Sequence, residues 1–172
     1  MPSHSFEASV LPHLDAAYNY ARWLTRNDAD AEDLVQDASI RAWRFVATLR
    51  SEDARAWFLT IVRNTWYDRF GRATAAATVA FDETRDDRSD GSPDPEARVM
   101  QREDTDRVQQ AIAALPVDFR EVIVLREFED LSYKEIAAVV GIPIGTVMSR
   151  LARGRDRLQD LLEADGPAGG RV

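Results

Sequence analysis

Apolar side chains recur at three- and four-residue steps along most of the chain. Leu11, Leu14, Tyr18 and Ala21 fall on one stripe, and Leu34, Ala38, Ala42, Phe45 and Leu49 fall on a second, the spacing of α-helices with one buried face. A third helix is predicted from Ala54 to about Phe70, burying Trp57, Ile61 and Thr65 or a neighbouring stripe, with Gly71 as its stop. Farther on, Val108, Ile112 and Leu115 predict a helix that ends at Pro116, whose ring cannot continue the backbone ladder. Phe119, Val122, Ile123 and Arg126 suggest another. Ser132 and Glu135 have the spacing of a capping box, followed by the stripe Tyr133, Ile136, Ala137 and Val140 and a stop at Gly141. Pro143 then opens a last helix with Val147, Leu151 and Leu158 on its apolar side. Strand-like alternation is absent from the sequence, so the expected fold is all-α.

Two helix-rich halves flank a stretch of different character. Residues 74–106 hold the interior Gly-Ser-Pro cluster and read as an acidic, flexible linker between a bundle over 1–73 and a second over 107–165, with 166–172 as a disordered tail. From Asp82 to Asp106 there are ten Asp and Glu against four Arg, which gives -6 of the formal net charge of -8. The acidity is therefore local. Beyond about 8 Å at physiological salt it is screened from the flanking halves, so net charge does not exclude a polyanionic partner.

Composition narrows the chemistry. With no cysteine, disulfides and thiolate nucleophiles are excluded. His4 and His13 are the only histidines and no ligand set accompanies them, so neither a metal nor a cofactor is expected. No glycine-rich phosphate loop or nucleophile with its base is visible, so no enzyme activity and no small-molecule substrate are expected. Apolar runs fall well short of the ~20 residues that span a bilayer. The opening MPSHSFEASVL lacks a basic start and apolar core, so a cytoplasmic protein without membrane insertion is expected.

Candidate chemistry sits at both ends. The pair of helices around Gly141 has the form of a helix-turn-helix, whose second helix would offer its early residues to a DNA major groove. Thr146, Arg150, Arg153 and Arg157, at steps of four, three and four, share one face, and five basic residues oppose two acidic ones between Ser132 and Arg157. Spacing alone divides about evenly between a DNA-reading helix and a hairpin with a solvated arginine face. In DAEDLVQDASIRAWRFV, Asp33, Gln36, Asp37 and Ile40 share a helical face. Like charges four apart cost a few tenths of a kcal/mol, which a basic partner would relieve. Asp37 can equally pair with Arg41, and the residues by themselves favour that quieter reading. TLRSEDARAWFLTIVRNTWYDRFGR interleaves arginines with aromatics, a mixture suited to single-stranded DNA and also to an ordinary core, where Trp57 is expected.

Resemblance shifts these balances. LSYKEIAAVVGIPIGTVMSRLARGRDRL looks like region 4 of the sigma factors of bacterial RNA polymerase, and LPVDFREVIVLREFEDLS resembles the helices that precede it. DAEDLVQDA is similar to sigma region 2, and Trp57, Ile61, Arg63, Asn64, Asp68 and Arg72 follow its promoter-melting pattern. Two regions joined by a tether too short for a folded region 3 resemble the extracytoplasmic-function group of the sigma-70 family. The resemblance implies a transcription initiation factor. Core polymerase would bind through its β′ coiled coil at Asp33, Gln36, Asp37, Ile40 and Arg41, and through its β flap. Minus-ten DNA would meet Arg50, Ser51, Arg63, Asn64, Trp66, Tyr67, Arg69 and Arg72. Minus-thirty-five duplex would meet Lys134, Thr146, Met148, Ser149, Arg150, Arg153 and Arg157. It also implies an anti-sigma factor as partner. The chain departs from the family in carrying Met148 where lysine is common, and in Gly71, which interrupts a basic run. A free-standing helix-turn-helix regulator, or a sigma-like decoy that sequesters an anti-sigma factor, are the alternatives.

Overall fold

The computed structural model describes residues 5–49, 53–81 and 96–164, with side chains for 5–49, 53–71 and 104–164. Among the described residues there are helices and no strands, as the periodicity predicts. The N-terminal half contains α1 (Phe6–Val10), a short 3-10 turn, α2 (Leu14–Thr25), α3 (Asp28–Phe45) and α4 (Ala54–Phe81). Arg26, in the left-handed conformation at φ 58°, closes α2, and the Asn27 side chain caps α3 by accepting from the Asp30 N–H at 3.0 Å. That tight turn lays α2 antiparallel against α3, and α4 packs across both.

Gly71 does interrupt α4. Its φ of 69° and ψ of 160° form a combination essentially reserved for glycine. Helical backbone resumes beyond it to Phe81, and α5 starts at Glu96, so helix extends into both ends of the expected linker; residues 82–95 lie outside the described residues. The C-terminal half is made of α5 (Glu96–Ala114), α6 (Val117–Ile123), α7 (Tyr133–Val140) and α8 (Ile144–Ala164). A wide π turn, Val124–Phe128, extends α6, with the Glu129 N–H reaching back to the Val124 carbonyl at 3.2 Å.

The buried core runs without a break from Val10, Tyr20 and Phe58 in the first half to Val122, Leu131 and Leu151 in the second. The two bundles are docked together, with α4 lying against α7 and α2 against α6. Within α4 it is the neighbouring stripe that is buried: Phe58, Leu59, Val62, Thr65 and Trp66 are core, while Trp57 and Ile61 pack at its margin. Trp57 and Phe58 differ by about 100° around a helix, and the fully buried position falls to Phe58.

Candidate polymerase and nucleic-acid interfaces

Three helical faces hold the candidate residues. On α3, Asp33, Gln36, Asp37 and Ile40 are all exposed along the side opposite the buried Ala31, Leu34 and Ala38. Asp37 does not pair with Arg41. Its carboxylate lies 3.2 Å from Arg69 of α4, and Arg41 instead bonds Asp68 at 2.7 Å. The helices α3 and α4 run close enough for cross-helix pairs to replace the pair within one helix. Exposed as they are, these bridges are each worth well under ~1 kcal/mol. Asp33, Gln36 and Ile40 remain outward.

The minus-ten candidates on α4 divide sharply. Asn64 is exposed and Tyr67 half-buried, and both line an open hollow with Arg41, Arg63 and Asp68. Arg69 is exposed with its guanidinium over the Phe70 ring. Trp66 is only 2% exposed; its ring packs in the core, edge-on to Tyr67 at 4.8 Å, so the expectation that it offers a face to a base is corrected. Arg50 and Ser51 lie outside the described residues, as does the Arg72 side chain.

Arg63 points at the C-terminal half. Its Nε donates to Glu121 Oε1 of α6 at 2.7 Å, with side chains 12% and 0% exposed, and its guanidinium covers the Tyr67 ring at 4.5 Å. Burial pushes the Glu121 carboxyl above the ordinary range while Arg63 pulls it back. For Arg63 burial opposes the charge, but Glu121 and Tyr20 outweigh it and the net shift is upward. Nearby, burial and then Arg26 lower the Arg120 guanidinium to about 10, and it donates to the Ala113 carbonyl at 3.0 Å. A buried pair of this kind stabilises little over an apolar one, yet removing either partner strands a charge.

Further contacts join the halves. The π turn swings Phe128 onto Trp23, with rings stacked at 5.7 Å, and Asn19 donates to Glu129 at 2.8 Å. Arg55 at the start of α4 approaches Glu135 of α7 at 3.9 Å. The C-terminal half thus presents Glu121 and Glu135 to arginines of α4.

The helix-turn-helix forms as its sequence dictates. Ser132 accepts from the Glu135 N–H at 3.0 Å while Glu135 accepts from the Ser132 N–H at 2.9 Å, closing the capping box. Arg126 fixes the approach to α7 by donating to the Leu131 carbonyl at 2.8 Å and lying over the Tyr133 ring. Gly141, at φ 76°, ends α7, and α8 leaves at 99° to it. Val147 and Leu151 are buried, and Gly154 lets α8 approach α6 so closely that a Cβ there would meet Ile123 Cδ1 at 2.7 Å. Lys134, Met148, Ser149, Arg153 and Arg157 are exposed, Thr146 is half-buried, and Arg150 leans towards Asp118 of α6 at 3.8 Å. Sequence reasoning missed Arg155, which bonds Glu127 at 2.9 Å and is held charged by that contact.

Among the described residues no His, Asp and Glu side chains are grouped to hold a metal ion, and no single helix is long and apolar enough to cross a membrane.

Comparison with known proteins agrees with this geometry. Residues 10–76 match the family model for sigma-70 region 2, and residues 105–158 the model for sigma-70, region 4. The chain is 35% identical over 158 residues to the ECF RNA polymerase sigma factor SigE of Mycolicibacterium smegmatis, covering 92% of this chain and 62% of that protein's length. It is 34% identical over 142 residues to the ECF RNA polymerase sigma-E factor of Escherichia coli, covering 78% and 74%. Its fold is similar to that of the sigma factor RpoE in complex with the anti-sigma factor NepR from Bartonella quintana, at TM-score 0.69 and 30% identity over 93% of this chain and 98% of that one. CnrH in complex with the cytosolic domain of CnrY is also similar, at TM-score 0.65 and 30% identity over 93% and 88%. With region 2 in the docked first half and region 4 in the helix-turn-helix half, the chain belongs to the extracytoplasmic-function sigma factors of RNA polymerase.

Proposed function

We propose that this chain is a promoter-specificity subunit: it binds core RNA polymerase, engages and melts the minus-ten element with its first half, and reads the minus-thirty-five element as duplex with α8. The observation that carries this reading is the capped helix-turn-helix with Arg153 and Arg157 outward, in one chain with a half that matches region 2. In this reading Asp33, Gln36, Asp37 and Ile40 meet the β′ coiled coil, with Arg41 holding α4 in place beside them. The C-terminal half meets the β flap. Arg63, Asn64, Tyr67 and Arg69, with Arg50, Ser51 and Arg72, follow the minus-ten strand. Lys134, Thr146, Ser149, Arg150, Arg153 and Arg157 hold phosphates and base edges, since phosphate contacts position a helix and a few base contacts specify it. The chain has no reaction of its own and works in the cytoplasm.

The docked arrangement is a resting one. Promoter elements centred near minus ten and minus thirty-five lie on the order of 80 Å apart along B-DNA at ~3.4 Å per base pair. A compact chain of this length is only about 40 Å across. The halves therefore part when both elements are bound, and Arg63 exchanges Glu121 for DNA. An anti-sigma factor is the partner expected to hold the chain in the docked form.

Run-off transcription from a fragmented genomic library, using core polymerase with and without the chain, tests the function. Discrete start sites that need both components and share blocks near minus ten and minus thirty-five are expected. No new start sites, with duplex binding retained by the chain alone, would make it an ordinary regulator.

A further inference from the structure

The first two turns of α8 are those a helix-turn-helix carries deepest into the major groove. Their two long outward side chains are both apolar. Ile144 is 46% exposed and Met148 53%. Four residues apart, they stand one above the other on the same flank. The other residues of these turns are short, buried or engaged. Gly145 has no side chain, and Val147 and Leu151 are core. The Ser149 hydroxyl donates to the Thr146 carbonyl at 3.2 Å, and Arg150 lies 3.8 Å from Asp118. Reaching hydrogen-bond donors appear farther along, at the exposed Arg153 and Arg157.

Two large apolar side chains side by side at the exposed start of a helix-turn-helix's second helix are placed to meet a partner rather than water. The local charge says which: five basic residues against two acidic ones between Ser132 and Arg157 draw a polyanion towards the helix-turn-helix as a whole, with Arg153 and Arg157 on the other exposed flank of α8. In a major groove the apolar feature that such side chains can meet is the C5-methyl group of thymine. We infer that Ile144 and Met148 form a methyl-reading pair, which makes this chain select thymines in the part of the minus-thirty-five element that faces the start of α8. The inference rests on the reading of α8 as the duplex-reading helix.

Deoxyuridine removes the methyl and leaves every hydrogen-bonding group of thymine in place. Minus-thirty-five duplexes are first selected with the full chain in complex with core polymerase. Promoter binding is then measured with thymine or deoxyuridine at each selected position, for the wild type and for an Ile144→Ala, Met148→Ala double variant. Both positions are exposed, so the variant should fold, which its helical circular dichroism checks. Wild type should bind about fourfold more weakly for each methyl lost, the effect of exposing one methyl-sized group, and the variant should be indifferent to the exchange. Equal binding of uridine and thymine duplexes by wild type, with sequence selection intact, overturns the methyl reading while leaving α8 in the groove. A variant that loses thymine and uridine duplexes alike overturns it too, because the pair would then touch another part of the complex. Selection that enriches no minus-thirty-five sequence overturns the placement of α8 itself, and this inference with it.

Discussion

Helices α4 and α8 have similar ingredients and opposite dispositions. Both mix arginines with apolar side chains, and both match regions that meet DNA in the family. On α8 one stripe, Val147, Leu151 and Gly154, is buried, and Met148, Arg153 and Arg157 stand outside. On α4, Trp66 is core and Arg63 is locked to Glu121 of the other half. The face proposed to read DNA is thus open on one helix and occupied on the other. Composition of a helix does not say which of its aromatics and cations are available. That is decided by the phase of the buried stripe and by what docks on it.

Substitutions that follow this contrast should differ most on α4. Trp66→Ala should cost about 4 kcal/mol of stability in urea unfolding, as expected for emptying a large core site; a cost under 1 kcal/mol would return the ring to the DNA-facing set. Arg63→Ala should cost about 3 kcal/mol, because it leaves the Glu121 carboxylate buried without its partner. Adding Glu121→Gln should recover much of that loss, and no recovery would mean the pair is not what holds Arg63. On α8, Arg153→Ala should leave stability within ~0.5 kcal/mol and reduce the slope of log affinity against log salt by about one. An unchanged slope would remove Arg153 from the phosphate contacts. Smallest of all, Arg41→Ala should change stability by less than ~0.5 kcal/mol, since its bridge to Asp68 is exposed; a larger loss would show that the α3 and α4 faces are more tightly coupled than the exposed geometry allows.

What the sequence made legible was local. Apolar periodicity located α2, α3, α7 and α8, and the Ser132–Glu135 box and Gly141 marked both ends of α7, because caps and turns act over three or four residues. The acidic α3 face was legible for the same reason. On α4 apolar residues occur around the whole circumference, so periodicity could not fix the phase, and Phe58 and Trp66 took the core places beside a half-buried Trp57. Contacts between distant residues left no mark at all. Arg63 and Glu121 are separated by 58 positions and Asn19 and Glu129 by 110, and the π turn that aims Phe128 at Trp23 has no composition signal. The same holds for Asp37, which has Arg41 one turn away in sequence and Arg69 nearer in space.

In the proposed mechanism the chain's own C-terminal half holds the α4 face until both promoter elements are engaged. Because the chain has no cysteine, Glu7→Cys and Asp160→Cys, both at exposed positions, provide two unique sites for fluorescent labels whose separation can be measured by energy transfer. The separation should be single and narrowly distributed in the isolated chain, within the ~40 Å of a compact chain of this length, and should lengthen by several tens of ångströms when core polymerase and promoter DNA are added together. A distance that stays the same in a transcriptionally active complex would contradict this opening, and would mean that the docked arrangement is itself the one that works on DNA.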